Sequence, residues 1–196
     1  MSEVNTATAA VTEKVVYLNF FQGITPQIVN QFMNICTNII NQYEPTELYF
    51  FIASSWGDVD SGFVLYNYLL SLREKVKITM HNNGHIDSIA NIIFLSGEKR
   101  YAFPNSSFLF HGISLNLSSA LVRTQLHENL SRVVSMEKRM SEVIVSNSAL
   151  MPDEVEELFQ QGESKDVNFA LKKKIIHEIK VQSIPKWSLH FTMTFT

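Results

Sequence analysis

The strongest constraint on the fold is the alternation of short apolar runs with segments of helical periodicity. Residues 15–21 (VVYLNFF) are rich in β-branched and aromatic side chains, which is typical of a β-strand. Residues 47–53 (ELYFFIA) form a nearly continuous apolar run, as expected for a buried strand. Between these runs, Thr25 and Pro26 predict the start of a helix. Strands that alternate with helices predict an α/β fold rich in parallel strands.

Three polar loops are predicted to follow strands of this sheet. They are residues 54–62 (SSWGDVDSG), residues 81–87 (HNNGHID) and the segment after His111. Ligands of parallel sheets bind at the carboxyl ends of the strands, so these loops are the first place to look for chemistry. A short buried helix is predicted over residues 88–95, directly after the second loop.

Residues 118–149 have strong helical periodicity and predict one long helix. At 1.5 Å per residue it would run ~45 Å, which exceeds the ~17 Å radius of a domain of this length. A helix of that length protrudes or packs on another chain. We therefore expect its apolar residues to pack partly against another subunit, namely Leu126, Leu130, Val133, Val134 and Met140.

The two ends of the chain differ from this pattern. Residues 1–13 are predicted to be a mobile N-terminal arm, and residues 14–182 a single α/β domain. In residues 183–196 apolar side chains alternate with polar ones, which predicts a strand with one apolar face. We expect this tail to pair with a strand of the same or a neighbouring subunit, because a free apolar edge would aggregate.

Composition excludes several classes of function. The net charge is −3 and the pI is about 6.1, so there is no basic excess for binding nucleic acid or an anionic membrane surface. The single cysteine, Cys36, excludes an internal disulfide and a cysteine-based zinc site. Charged residues make up 18%, below the ~25% of a typical domain, which favours a homo-oligomer. No apolar run is long enough to span a membrane and no targeting segment is evident, which predicts a cytoplasmic protein.

Ser88 and His111 are candidates for chemistry, although a lone histidine at the end of an apolar strand, as in FLFHG, is more often a hydrogen-bonded core residue than a base. Ser88 opens a helix just after a strand and a loop, where the amide of Ile89 could serve as an anion donor. From spacing alone, the simpler interpretation is that Asp87 or Ser88 caps that helix. Ser88 and His111 are the one Ser–His pair whose loops are predicted to converge at one sheet edge.

A metal site is not favoured by the sequence. His81 and His85 are four residues apart, but their loop lacks helical spacing and a third ligand. We expect neither a metal ion nor a cofactor.

The order of the motifs resembles the proteolytic subunit of the Clp protease (ClpP), a family of serine peptidases. The match covers residues 47–180 and includes ELYFFIASSWGDVDSGFVLYNYL, GHIDSIAN and, most specifically, KRYAFPNSSFLFHG. The resemblance implies the spiral of ββα units shared with crotonases, with residues 118–149 as the protruding handle helix. It also implies heptameric rings, stacked in pairs in some members, and an ATPase unfoldase as partner.

The resemblance assigns roles to particular residues. Ser88 is implied to be the nucleophile, His111 the general base, and the amides of Gly57 and Ile89 the oxyanion hole. The chain departs from the family pattern because Gly162 falls where the catalytic aspartate stands. Glu163 is the nearest acid suited to the role, since Asp166 is predicted to cap the next helix. Trp56 and Ala53 also replace residues of the family's glycine-rich loop.

These observations predict a serine endopeptidase that hydrolyses peptides or unfolded proteins inside an oligomeric ring. The first alternative is a catalytically weak or inactive paralogue with a structural role in the ring. The second is a crotonase-type acyl-CoA enzyme, which has no need of a Ser–His pair. ATP hydrolysis would belong to a partner, because the chain has no G-x-x-x-x-G-K-[ST] loop.

Overall fold

The computed structural model of the chain describes residues 14–115 and 120–195. The predicted arm, residues 1–13, lies outside these ranges. Within them the strands and helices alternate along most of the chain. The strands are β1 (Val15–Phe20), β2 (Glu47–Ser54), β3 (Lys77–Asp87), β4 (Lys99–Ala102), β5 (Ser107–Leu109), β6 (Ser164–Asp166), β7 (Glu178–Ile179) and β8 (Leu189–Thr192). The helices are α1 (Pro26–Tyr43), α2 (Val59–Leu72), α3 (Ala90–Phe94), α4 (Arg123–Asn147), α5 (Pro152–Gln161) and α6 (Val167–Lys172).

All of these strands belong to one sheet of mixed direction. Its order is β6-β5-β3-β2-β1-β8, with β4 beside β3 and β7 beside β4. Every pairing is parallel except that of β5 with β6. The predicted α/β class is therefore confirmed.

The central strands are buried because their side chains meet apolar neighbours on both faces of the sheet. Leu48, Phe50 and Ile52 lie on the face that belongs to the main core. Tyr49 and Phe51 point to the other face and form a smaller aromatic cluster, in which the His81 ring stacks on Phe103. This two-sided burial explains why residues 47–53 read as an uninterrupted apolar run.

The start of α1 is as predicted, because the Thr25 hydroxyl accepts a hydrogen bond from the amide of Ile28 and Pro26 opens the helix. The predicted loop at residues 81–87 is wrong, because β3 continues through it to Asp87. This polar stretch is held as a strand by its neighbours. Ile52 and Ser54 of β2 pair with one side of it, and β4 and β5 pair with the other.

The long helix is shorter than predicted. It begins at Arg123 and ends at Asn147, so its length is ~37 Å rather than ~45 Å. Its buried residues, Met136, Met140 and Ile144, all lie in its C-terminal half. Met140 is packed in the chain's own core, so the expectation that it contacts another subunit is wrong.

The C-terminal tail forms a strand, as its alternating pattern predicts. β8 pairs in parallel with β1 of the same chain, and the amide of Met193 donates to the carbonyl of Asn19. The apolar face packs on the core: the ring of Phe195 meets Phe20 at 5.6 Å and that of Phe191 meets Tyr43 at 5.7 Å. No helix in the described ranges has the length and apolarity needed to cross a membrane.

Deletion of residues 186–196 is expected to lower stability and solubility. The deletion exposes the β1 edge and uncovers the apolar contacts of Phe20 and Tyr43. The measurement is thermal unfolding together with light scattering, with His190→Ala as a control because His190 is exposed on β8. An equally stable and soluble truncated chain would contradict the structural role of the tail.

Candidate active site

Ser88 lies in a left-handed backbone conformation immediately after β3. Its φ is 58°, a region that side-chain-bearing residues seldom occupy and that often marks functional sites. Its amide donates to the carbonyl of Leu109 at 2.9 Å, which ties the turn to the end of β5. The geometry is thus a sharp turn between a strand and the short helix α3.

The helix-cap interpretation of this turn is wrong. The N-cap of α3 is Ile89, and no side chain caps the helix there. Instead, the buried side-chain amide of Asn91 donates from Nδ2 to the carbonyls of Ser88 and Leu109, at 3.1 and 2.9 Å. The Ser88 side chain is therefore not used as a cap, and two backbone carbonyls of the turn are held by one buried asparagine.

His111 lies two residues beyond β5, and β5 pairs with the end of β3. Its Nδ1 is 2.7 Å from the carbonyl oxygen of Gly112. A carbonyl oxygen accepts, so Nδ1 must carry the proton, and the lone pair of the neutral ring is on Nε2. This is the tautomer that a general base requires. Across the described ranges, no hydrogen bond joins the Ser88 hydroxyl to His111.

Position 57, which the resemblance assigns to the oxyanion hole with Ile89, packs against the side chain of Ile89. A Cβ on Gly57 would lie 2.9 Å from Cγ2 of Ile89 and 2.5 Å from Cβ of Ile24, so a side chain at position 57 is excluded. Neither the Gly57 nor the Ile89 amide donates a hydrogen bond in the part of the chain that the structure describes. Two unpaired amides near a serine can receive the charge of an oxyanion.

Trp56, which precedes Gly57, lies against Gly23 and is largely exposed to solvent. Its side chain is 59% exposed, and its ring lies where a Cβ on Gly23 would be 2.6 Å away. Glycine at position 23 therefore leaves room for the Trp56 ring.

Gly162 occupies the place beside His111. In the antiparallel pairing of β5 with β6, Leu109 is opposite Ser164. Continuing this register by two residues beyond the strands places His111 opposite Gly162. A Cβ on Gly162 would lie 4.0 Å from Cβ of His111. The position that the resemblance gives to the catalytic aspartate is thus next to the histidine, but it bears no side chain.

The neighbouring acids are engaged elsewhere. The Glu163 carboxylate lies 3.0 Å from Nζ of Lys165. Asp166 caps α6, as predicted, and accepts from the amide of Phe169 at 2.8 Å. Neither acid makes a hydrogen bond with His111 in the described ranges.

Asp87 is a further carboxylate near the histidine. Burial raises the pKa of the Asp87 carboxyl, and the nearby imidazoles of His85 and His111 oppose that shift. Asp87 and Leu109 are partners in the β3–β5 register, which explains how the carboxyl comes close to His111. No hydrogen bond between Asp87 and His111 is found in the described part of the chain.

A second Ser–His pair lies at the same edge, so the expectation of one converging pair is wrong. The Ser55 hydroxyl is 2.8 Å from Nε2 of His85. The two meet because β2 and β3 are neighbours and Ser54 pairs with Ile86. This pair supplies a matched control for experiments on Ser88 and His111.

His81 is not placed to bind a metal. It is fully buried, and its Nδ1 is 2.7 Å from the Tyr49 hydroxyl. Burial lowers its pKa to about 4, so the ring is neutral. Among residues 14–115 and 120–195, no group of three His, Cys, Asp or Glu side chains could hold a metal ion.

Sequence reasoning missed two residues of the site. Asn91 is the polar residue within the apolar helix α3, and that isolation was a usable signal. Glu137 of α4 accepts a hydrogen bond from the amide of Ile113 at 2.9 Å. It gave no signal, because the two residues are 24 positions apart.

The same fold is found in a solved ClpP. The structure of a ClpP1 point mutant from Listeria monocytogenes superposes with a TM-score of 0.73 and 16% identity, covering 86% of this chain and 92% of that one. The family model described as Clp protease matches residues 3–182. The chain therefore belongs to the Clp protease family.

Curated relatives carry the same family name. The ATP-dependent Clp protease proteolytic subunit 2 of Pseudomonas aeruginosa is 23% identical over 154 residues, which are 76% of this chain and 75% of that protein. The ATP-dependent Clp protease proteolytic subunit of Atropa belladonna is 32% identical over 101 residues, half of each chain. The family match and these relatives support a Clp protease-type function. Because the identities are low, the roles of the site residues have to be tested by experiment.

Proposed function

We propose that the chain is a serine endopeptidase subunit in which Ser88 is the nucleophile and His111 the general base. The observation that carries the proposal is the left-handed Ser88 at the end of β3, with the free amide of Ile89 next to it. A serine hydroxyl is a weak nucleophile at neutral pH and needs an adjacent base. The basic Nε2 of His111 is the atom suited to that task.

The proposed reaction is an acyl transfer in two stages, acylation of Ser88 and its hydrolysis. Ser88 Oγ attacks the scissile carbonyl carbon while its proton passes to Nε2 of His111. The negative charge on the substrate oxygen is stabilised by the amides of Gly57 and Ile89. The C–N bond then breaks, and the leaving amine takes the proton from Nε2. Water, deprotonated by the same nitrogen, attacks the acyl group; the acyl–Oγ bond breaks and Nε2 returns its proton to Ser88 Oγ.

In the described part of the chain, no carboxylate is hydrogen-bonded to His111 as the acid of a triad would be. Glu163 would have to leave Lys165 before it could reach His111. Loss of the acid in a triad lowers kcat by ~10⁴-fold and leaves residual catalysis. The empty place at Gly162 therefore supports the second candidate function, a subunit with weak hydrolysis that contributes mainly to the ring.

A fluorophosphonate probe tests the chemistry, because it labels activated serines. We expect mass spectrometry to find the label on Ser88 and Ser88→Ala to lose it. Label on Ser55 instead would assign the chemistry to the second Ser–His pair. Complete absence of label would favour the structural subunit.

We further propose that α4 joins subunits of a ring, whose substrates are peptides or unfolded proteins and whose partner is an ATPase unfoldase. Support comes from four apolar residues that follow one another every four positions. One is the residue before α4 and the other three are in the N-terminal half of the helix. All four are more than half exposed in the single chain, namely Val122, Leu126, Leu130 and Val134. Exposed apolar side chains in one row are typical of a protein–protein interface.

Leu126→Glu with Leu130→Glu is expected to shift the protein to smaller species in analytical ultracentrifugation. Two charges placed in an apolar interface are costly to bury. Leu171→Glu is the control, because Leu171 is an exposed leucine on a different helix, α6. A wild-type protein that is already monomeric at micromolar concentration would contradict the ring proposal.

A further inference from the structure

A single peptide unit connects His111 to a carboxylate on α4. The carbonyl of Gly112 accepts from Nδ1 of His111 at 2.7 Å, and the N–H of the same peptide, on Ile113, donates to Oε1 of Glu137 at 2.9 Å. The imidazole and the carboxylate thus lie at opposite ends of one amide group. Their two hydrogen bonds form a chain from His111 to Glu137.

The local sequence makes this arrangement possible. A Cβ on Gly112 would lie 2.8 Å from Oε1 of Glu137, so glycine at position 112 leaves room for the carboxylate. The amide of Gly112, which belongs to the preceding peptide unit, donates to the carbonyl of Phe159 at 3.0 Å and fixes that neighbouring unit against α5. Glu137 is itself positioned by the buried Met136 and Met140 on the same helix. The Gly112–Ile113 peptide is therefore held at both its oxygen and its nitrogen, and the peptide before it is held by Phe159.

We propose that Glu137 is a positioning residue that does part of the work of the missing triad acid, acting through the Gly112–Ile113 peptide. A negative charge at the N–H end polarises the amide and increases the negative charge on its oxygen. That oxygen binds Nδ1–H more strongly and stabilises the imidazolium that forms when Nε2 takes the proton of Ser88. The inference rests on the proposed function and deepens it.

No proton moves along this chain of hydrogen bonds. The proton of Ser88 Oγ passes to Nε2 and then to the leaving amine, while the Nδ1 proton stays on the ring. Glu137 remains a carboxylate throughout. Its effect is electrostatic and orientational, so it should act on kcat and leave KM nearly unchanged.

The first test compares Glu137→Gln with the wild-type protein in a peptide-hydrolysis assay. Glutamine keeps an oxygen that accepts from Ile113 and removes the charge. We expect kcat to fall roughly ten- to a hundredfold, given an effective dielectric of ~20 near the site. Glu142→Gln is the matched control, because Glu142 is on the same helix and solvent-exposed. A wild-type kcat in Glu137→Gln would overturn the inference.

A second variant separates charge from packing. Glu137→Asp keeps the charge and should retain more of kcat than Glu137→Gln, at a temperature where both are folded by circular dichroism. The reverse order would overturn the inference. This comparison remains decisive even when both variants lower the melting temperature.

The third test uses Gly162→Asp as a background. With a carboxylate directly beside His111, the charge of Glu137 becomes redundant, so Glu137→Gln should cost much less than in the wild-type protein. An equal loss in both backgrounds would assign Glu137 a merely structural role. If hydrolysis does not depend on Ser88, the proposed function itself fails. If it depends on Ser88 and not on Glu137, this inference alone fails.

Discussion

Ser88→Ala and His111→Ala should each abolish peptide hydrolysis and leave the fold and the assembly intact. The alanine at position 88 removes the attacking oxygen, and the alanine at position 111 removes the atom that accepts its proton. Within residues 14–115 and 120–195, neither side chain makes a hydrogen bond on which a helix or strand depends, since Ser88 is bound through its backbone and His111 contacts its own neighbour Gly112. Initial rates with a fluorogenic peptide and circular dichroism measure the two effects.

The double variant should be no slower than either single variant, because the two residues act as one unit. Ser55→Ala and His85→Ala are the matched controls, since they form a hydrogen-bonded Ser–His pair at the same sheet edge. Both controls are expected to keep most of the activity. Hydrolysis that survives Ser88→Ala undiminished and disappears in Ser55→Ala would move the nucleophile to the neighbouring pair.

The parts of the fold that the sequence could predict are those governed by local pattern. Thr25 and Pro26 begin α1 because their chemistry caps a helix whatever surrounds it. The alternation in residues 183–196 predicts β8, since period two is the signature of a strand with one covered face. These elements need no knowledge of distant residues.

The errors arise where distant residues decide the structure. Residues 81–87 have the composition of a loop, but pairing with β2, β4 and β5 makes them a strand, in which His81 and Asn82 are fully buried. The cap expected at Ser88 fails for the same reason. The amide of Ser88, whose backbone is left-handed, donates to the carbonyl of Leu109, 21 positions along the chain.

The site shows the same division. Motif order predicts roles for Ser88, His111, Gly57 and Ile89, and these roles stay predictions. In the structure the β3–β5 pairing brings the segments of Ser88 and His111 to one sheet edge, and position 57 contacts the side chain of Ile89. The role proposed for Glu137 could not be predicted from spacing. Glu137 lies on α4 and accepts from the amide of Ile113, 24 positions away, in a peptide that no motif marks.

Gly162→Asp should raise kcat, by up to ~10³–10⁴-fold if the histidine is otherwise poorly oriented. The position suits the change sterically, because a Cβ there meets His111 Cβ at 4.0 Å, an ordinary contact. Gly162 has φ 60° and ψ 34°, the left-handed region in which aspartate is several-fold enriched among residues other than glycine. The free energy of unfolding should fall by about 1 kcal/mol, because the added side chain is mildly strained there.

Gly162→Asn is the control that isolates the charge, since asparagine has nearly the same size and tolerates the same backbone conformation. It should lose a similar amount of stability and gain little or no activity. The gain in Gly162→Asp must also disappear when Ser88→Ala is added, because an aspartate beside His111 acts through the serine. If Gly162→Asp folds, assembles as the wild-type protein does and hydrolyses peptides no faster, then His111 is not limited by a missing acid. In that case another feature would limit hydrolysis. The candidates are the absence, within the described residues, of a hydrogen bond between Ser88 and His111, and the exposed Trp56 beside Gly57.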